Sequence, residues 1–553
     1  MTLKDKFFRT ILDAYPAVMS NLQPDGSMVY PDTGYTIYQQ YSGYYFAFLY
    51  KYNHPDNPYL SNPEMLTLST RCWKHFSTQV NDQGLIRIIT MNQDFNMYWP
   101  EEWGFYNWLL SYELIGGDLP PADRDFWLEK LHLIFPQMVE SVRKESEDEK
   151  FEGTLATNQI RNHFLWTVLA VYRYGQIFGK QDAMDYADSL MARALGAQLP
   201  IGTWYENYGL VIDYADITLC AMSLYGIYAK NDRAIAAVDK GLKYITSLKN
   251  PDFTKVLGID ERNRSNKGIA AQTAPSYANS AAGVDYLSRW INVMARDKQL
   301  HKNVHGLVTV CEMLSLLPDD VPYNENPPAP PPLNTSYPAQ DLFVREQGPW
   351  ILSFCGMKHN AYESRWNLER QSLVGVYVKG IGPLWGGVHS IGQPEFSTFS
   401  VTRGGKVHYM HDKCTIGESS VALEYGGRTC TIEALNITDS ELTLRFQVKN
   451  PGDTERVYLN LPFYNLRGTE VSFDGRKVAL DKSNCWQHIN ADAPVLIHGV
   501  RLTASEPTEF KYPILPYNSY KIKQERNLSE VYGILSAELD YKNPSVTVTI
   551  KLK

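Results

Sequence analysis

The sequence predicts a multi-domain α+β protein, with an N-terminal (α/α) toroid of helical hairpins followed by a C-terminal antiparallel β-sandwich. Three observations carry this. Apolar residues recur at helical spacing through the first part of the chain, a proline-rich run interrupts it at Pro318–Asp341, and beyond that run the apolar period becomes two. A chain of 553 residues with 44% hydrophobic content exceeds one ordinary domain and can fill two cores. The expected division is 1–320 for the toroid, 321–340 for the linker and 341–553 for the sandwich.

In chain order, the helical segments are "DKFFRTILDAY", "TLSTRCWKHFSTQV", "WGFYNWLLSYELIGG", "DFWLEKLHLIFPQMVESVRKE", "NHFLWTVLAVYRYG", "AMDYADSLMARALG", "DITLCAMSLYGIYAK", "DRAIAAVDKGLKYITSLK" and "AGVDYLSRWINVMAR". Short polar or glycine-containing breaks such as "IGGDLPPADRD", "GKQD" and "AKND" separate them. Antiparallel helices joined by tight turns bury their apolar stripes well in a closed ring of hairpins. No fixed-period repeat is visible, which disfavours an open solenoid.

The prolines of "PDDVPYNENPPAPPPLNTSYPAQD" remove backbone donors and favour extended geometry, so this run reads as the linker. After it, Leu442, Leu444, Phe446 and Val448 alternate with polar residues, "NPGD" offers a turn, and Val457, Leu459 and Leu461 resume the alternation. The expectation is a hairpin. "VSFDGRKVAL" predicts another, bending at Asp474-Gly475, and "VTVTIKL" places Val546, Val548 and Ile550 on one face of a last strand.

Composition narrows the function. A net charge of −8 without a Lys/Arg run argues against nucleic acid as a partner, and no stretch of about 18 apolar residues predicts a membrane span. The N-terminus lacks a signal-peptide pattern, so the chain reads as cytoplasmic as written, or as secreted or periplasmic if a leader has been removed. Seven scattered cysteines form no CxxC pair or zinc-type cluster, so a structural metal site is not expected. The 37 tyrosines and 12 tryptophans offer flat faces suited to sugar rings. Nothing in the pattern encodes an oligomeric state.

Within Thr157–Gly175, Phe164, Leu165, Val168, Leu169, Val171 and Tyr172 gather on one side of a helical wheel. Gln159, Asn162, His163 and Trp166 gather on the other, a face suited to a polar cavity or to satisfying backbone groups between helices. Ile201–Ala229 begins with glycine and aromatic residues around Glu206, and its helix is expected near Asp213 as N-cap, leaving Tyr205, Tyr208 and Tyr214 in a loop and first turn. That cluster reads as a site or as aromatic packing with a capping acid. Arg262 and Arg264 stand in a polar loop as carboxylate-binding candidates or surface charges. His359, with Tyr362 and Arg365, falls on an expected early strand of the sandwich. Glu101 and Glu102 lie beside Trp99, Trp103 and Trp108 at a helix start, where carboxylates also favour the helix dipole.

A helical toroid followed by an antiparallel sandwich resembles the polysaccharide lyases of the heparinase II/III-like, alginate-lyase and hyaluronate-lyase groups. Asn162-His163 matches the "NH" pair of those lyases, and Gly202, Glu206 and either Tyr208 or Tyr214 loosely match their loop. The resemblance implies β-elimination on an anionic, uronate-containing oligo- or polysaccharide without a cofactor. The C5 proton becomes acidic once the neighbouring carboxylate is neutralised, a role for the Asn162 amide. A neutral His163 or an ionised Tyr takes the proton, and a Tyr hydroxyl protonates the leaving oxygen. Gln159, Trp166, Tyr205, Arg262, Arg264, Glu102 and Trp103 are the accompanying substrate contacts, and His359 would come from the sandwich. The rival expectation is a glucuronidase-like glycoside hydrolase with Glu206 and Glu102 as its acids. A non-catalytic glycan-binding protein is the third.

Overall fold

The computed structural model describes all residues except 91–92, 148–154, 156–157, 207–208, 260–273, 279–280, 328, 359–366, 418–419, 453, 465, 467, 481–483, 519–530 and 553. The chain divides into two compact units. One comprises Met1–Tyr208, Asp213–Ile245 and Ile269–Ala329, the other Gly209–Ile212, Thr246–Gly268 and Pro330–Lys553.

The first unit is helical: α1 (Leu3–Asp13), α2 (Tyr15–Asn21), α3 (Ser42–Lys51), α4 (Pro63–Ser77), α5 (Glu102–Ile115), α6 (Pro121–Glu147), α7 (Asn162–Phe178), α8 (Gln181–Gly196), α9 (Ile212–Tyr228), α10 (Asp232–Thr246), α11 (Ala274–Tyr277), α12 (Ala281–Arg296) and α13 (Val304–Leu316). These helices form two classes. Helices α1, α4 and α8 bury one stripe, whereas α3, α5, α7 and α13 are buried nearly all round. A helix apolar on every face belongs inside, and the stripe-bearing ones pack around it.

The inner helices close a ring. Helix α3 packs on α5 and α5 on α7. Trp166 of α7 donates its indole N–H to the Ile217 carbonyl of α9 (3.1 Å), and Ser223 of α9 donates to the Pro275 carbonyl of α11 (3.1 Å). Helix α11 packs on α13, and α13 returns to α3. This is the toroid expected from the sequence.

The second unit holds two antiparallel sheets among the described residues. One runs Cys485–Ile489, Thr508–Ile514, Tyr532–Leu539, Arg456–Phe463, Gly382–Trp385, Val374–Val378, Trp350–Cys355, Leu342–Gln347, Asn334–Tyr337, with Phe399–Arg403 also paired to Arg456–Phe463. The other runs Lys413–Ile416, Ser420–Tyr425, Arg428–Ile437, Glu441–Val448, Ser545–Lys551, Val500–Ala504, Val495–Ile497, Thr469–Phe473, Arg476–Leu480. Leu442, Leu444, Phe446 and Val448 from one sheet and Val457, Leu459, Leu461 and Phe463 from the other are buried in a single core. The Asp474-Gly475 hairpin forms as expected, with φ of +46° and +78° at the two turn residues and Phe473 paired to Arg476.

The hairpin expected around "NPGD" does not form. Glu441–Val448 pairs with Arg428–Ile437 and Ser545–Lys551, whereas Arg456–Phe463 pairs with Phe399–Arg403 and Tyr532–Leu539, so the turn carries the chain from one sheet to the other. Alternation fixes which face of a strand is buried, not its partner. The end of the proline-rich run also differs from a plain linker, since Asn334–Tyr337 pairs with Leu342–Gln347 as the edge of its sheet.

Candidate active site

The site is built where the starts of α5 and α7 meet in the helical unit. Glu101 is the N-cap of α5, its Oε2 accepting from the Gly104 N–H (2.7 Å) and its Oε1 accepting from the Tyr41 hydroxyl (2.5 Å). Glycine is required three residues along, because a Cβ there would lie 2.3 Å from Phe76 Cζ and 2.6 Å from Glu101 Oε2. Burial and the adjacent Glu102 charge push the Glu101 carboxyl up to about 8, so near neutral pH it holds a proton.

Glu102 is the carboxylate aimed at α7. Only 1% exposed, it places Oε1 2.6 Å from His163 Nδ1. The His163 side chain stays 37% exposed, its ring resting against Trp103 at 4.7 Å between centroids. Burial alone would depress the His163 pKa, but the charge and hydrogen bond of Glu102, helped by Glu206 and opposed by Arg161, hold it above the ordinary value. A carboxylate on Nδ1 selects the Nδ1–H tautomer and leaves the lone pair on Nε2.

Asn162, the first residue of α7, is fully buried. Its backbone N–H donates to Glu206 Oε2 (2.7 Å) and its Nδ2 to Oε1 (3.3 Å), while its Oδ1 has no hydrogen-bond partner. Glu206 thus places a carboxylate on the positive end of α7, where exposed backbone donors and the helix dipole favour it. The loop is fastened further by the Ile160 N–H donating to the Tyr205 carbonyl (2.9 Å), and Arg161 forms a 2.7 Å ion pair with the buried Glu145.

The structure therefore brings Glu102, Trp103, Asn162, His163, Trp166 and Glu206 together. The Trp103 and Trp166 rings stand 6.3 Å apart. Gln159 is buried just before α7, and Tyr205 is exposed on the loop. Tyr214 is half-buried in the first turn of α9, which starts at Ile212, so Asp213 sits inside that turn rather than capping it. Tyr208, Arg262, Arg264 and His359 lie outside the described residues. Most of the polar face read on the α7 wheel is closed: Asn162 and Trp166 are buried, and His163 is the member that reaches the surface.

Two neighbours, Tyr41 and His305, escaped the sequence reading. Glu101 and Tyr41 form the layer beneath Glu102. His305, near the start of α13, packs on Trp103 and Tyr41 with ring centroids 5.2 and 5.4 Å away. Burial, and then the nearby His163, push His305 down to about 3, so it is neutral. Among the described residues, no group of three or more His, Cys, Asp or Glu side chains is arranged to hold a metal ion.

No family model and no curated protein sequence matches the chain. Solved structures do. A chondroitin AC lyase from Streptomyces coelicolor A3 aligns over 99% of this chain and 79% of its own, at 12% identity and a TM-score of 0.48. Heparinase III aligns over 96% of this chain and 80% of its own, at 11% identity and a TM-score of 0.56. The lyase-type architecture read from the sequence is thereby met at the level of the fold: the chain has the fold of heparinase III, a helical toroid followed by an antiparallel β-sandwich.

Proposed function

We propose that the chain cleaves a uronate-containing oligo- or polysaccharide by β-elimination. The observation that carries this reading is His163, anchored through Nδ1 by the buried Glu102 in the first turn of an inner helix and still partly exposed. A general base must be both positioned and accessible, and this ring is both.

In this reading His163 Nε2 removes the proton on C5, alpha to the uronate carboxylate. The electrons pass through an enolate-like anion, the C4–O bond breaks, and a C4–C5 double bond forms. A tyrosine, Tyr208 or Tyr214, returns a proton to the leaving oxygen. Asn162 has a second amide hydrogen beyond the one given to Glu206, and it is the donor assigned to the substrate carboxylate. Because Asn162 is buried, the Glu206 loop must lift for the carboxylate to reach it.

The same contacts disfavour hydrolysis by Glu102 and Glu206. A glycosidase needs two carboxyl groups facing the scissile bond, whereas here one is committed to His163 and the other to the start of α7. The test is incubation with uronate oligosaccharides in labelled water. An ultraviolet-absorbing unsaturated product without solvent oxygen supports elimination. A saturated product carrying solvent oxygen contradicts it.

A further inference from the structure

The outer face of the sandwich sheet holds a feature that the elimination chemistry does not use. Along Arg456–Phe463, Val457, Leu459 and Leu461 enter the core, so Tyr458 and Asn460 point the other way. The register continues this outer face across the neighbouring strands. Tyr458 lies opposite Ser400 and Glu538, Asn460 opposite Ser536, and Ser536 opposite Glu509. On the edge strand His488 lies opposite Glu509 and Trp486 opposite Lys511. A cavity of about 540 Å³ runs over this face.

We propose that this groove is a second, non-catalytic saccharide-binding site, selective for uncharged sugar chains. Two independent observations point to a ligand. Trp486, paired on the edge strand with the lining residue Lys511, is 68% exposed, with the Lys511 ammonium 5.1 Å from its ring centroid. An indole left in water on a rigid strand is a stacking platform for the C–H face of a pyranose. The cavity beside it is the second, lined by polar groups that include Ser400, only 7% exposed.

The floor is fixed in advance. Asn460 Nδ2 donates to the Ser397 carbonyl (2.9 Å), and its Oδ1 accepts from Ser536 Oγ (2.8 Å). Charge then sets the class of ligand. Glu395, Glu506, Glu509, Glu538 and Asp540 line the groove, where Lys511 is the one lysine or arginine among the described lining residues and itself pairs with Glu509 at 3.2 Å. Carboxylates accept hydrogen bonds from sugar hydroxyls and repel uronates, so the anionic chain proposed for the helical unit is not the occupant here.

The test is calorimetric titration of the full chain with hexasaccharides of glucose, mannose and xylose, and with an oligogalacturonate of equal length. We expect at least one uncharged hexasaccharide to bind. Trp486→Ala and Tyr458→Ala should each weaken it by about tenfold or more while thermal unfolding stays unchanged. The proposal is overturned if none of the three uncharged chains binds, if binding survives both substitutions, or if the oligogalacturonate competes equally for this face. None of these readouts depends on whether the helical unit eliminates or hydrolyses.

Discussion

The starts of α7 and α13 each place a histidine against the same indole, and the two imidazoles are driven in opposite directions. His163 lies 4.7 Å and His305 5.2 Å from the Trp103 ring centroid. Glu102 holds the first above its ordinary pKa, whereas burial and the charge of His163 take the second down to about 3. Shared aromatic packing therefore does not set basicity. A buried carboxylate does: Glu102 raises the His163 pKa, while burial holds His305 neutral.

The largest expected effect removes the acceptor itself. His163→Ala should lower turnover per folded molecule on a uronate oligosaccharide by about 1000-fold, within the usual range for a lost general base, with a lower melting temperature because the buried Glu102 loses its partner. The matching substitution, His305→Gln, should leave turnover within about tenfold of the parent. If the His305 substitution proves as damaging as that of His163, the contrast between the two helix starts fails.

Next comes Asn162→Ala, expected to lower turnover by about 100-fold, as for a lost donor to a developing anion. Glu206 also loses its side-chain partner, so a stability loss of about 1 kcal/mol should accompany it. A destabilised variant with normal turnover per folded molecule would make Asn162 a packing residue. Gly104→Ala should act chiefly on stability, costing about 1–3 kcal/mol, since its Cβ would overlap Phe76 and the Glu101 cap. A melt within error of the parent would mean that the α5 cap adapts more freely than its geometry indicates.

Much of this was legible in the sequence, and the gaps have physical causes. Stripe-bearing helices such as α4 and α8 announced themselves by period. Helices α3 and α13 did not: buried nearly all round, they carry little amphipathic signal, although α5 and α7, buried in the same way, were still read. His305 was missed along with α13. Asn162, His163 and Glu206 could be picked out from residue type and local spacing, but which of Glu101 and Glu102 faces His163 is decided across a separation of 61 residues. The sandwich strands followed alternation, yet "NPGD" shows that a turn between two strands need not pair them.

The smallest effect concerns stability against pH. Folded His305 binds fewer protons than it would unfolded, so its contribution is present above pH 6.5 and is lost as pH falls toward about 3. His305→Gln should flatten that acid limb. Folded Glu101 binds more protons, so its contribution is lost as pH rises from 4.5 through about 8. Chemical denaturation across pH, compared between parent and His305→Gln, checks both slopes.

The most direct measurement of the central claim, that Glu102 sets His163 as the base, is the pH dependence of kcat/KM for the parent and Glu102→Gln on one uronate oligosaccharide. Elimination needs the unprotonated ring, so the parent should gain activity as pH rises, with a midpoint above the 6.5 of an ordinary histidine. In Glu102→Gln that midpoint should move down and the plateau should fall by about tenfold or more. A parent midpoint at or below 6.5, or one that Glu102→Gln leaves in place, would contradict the account.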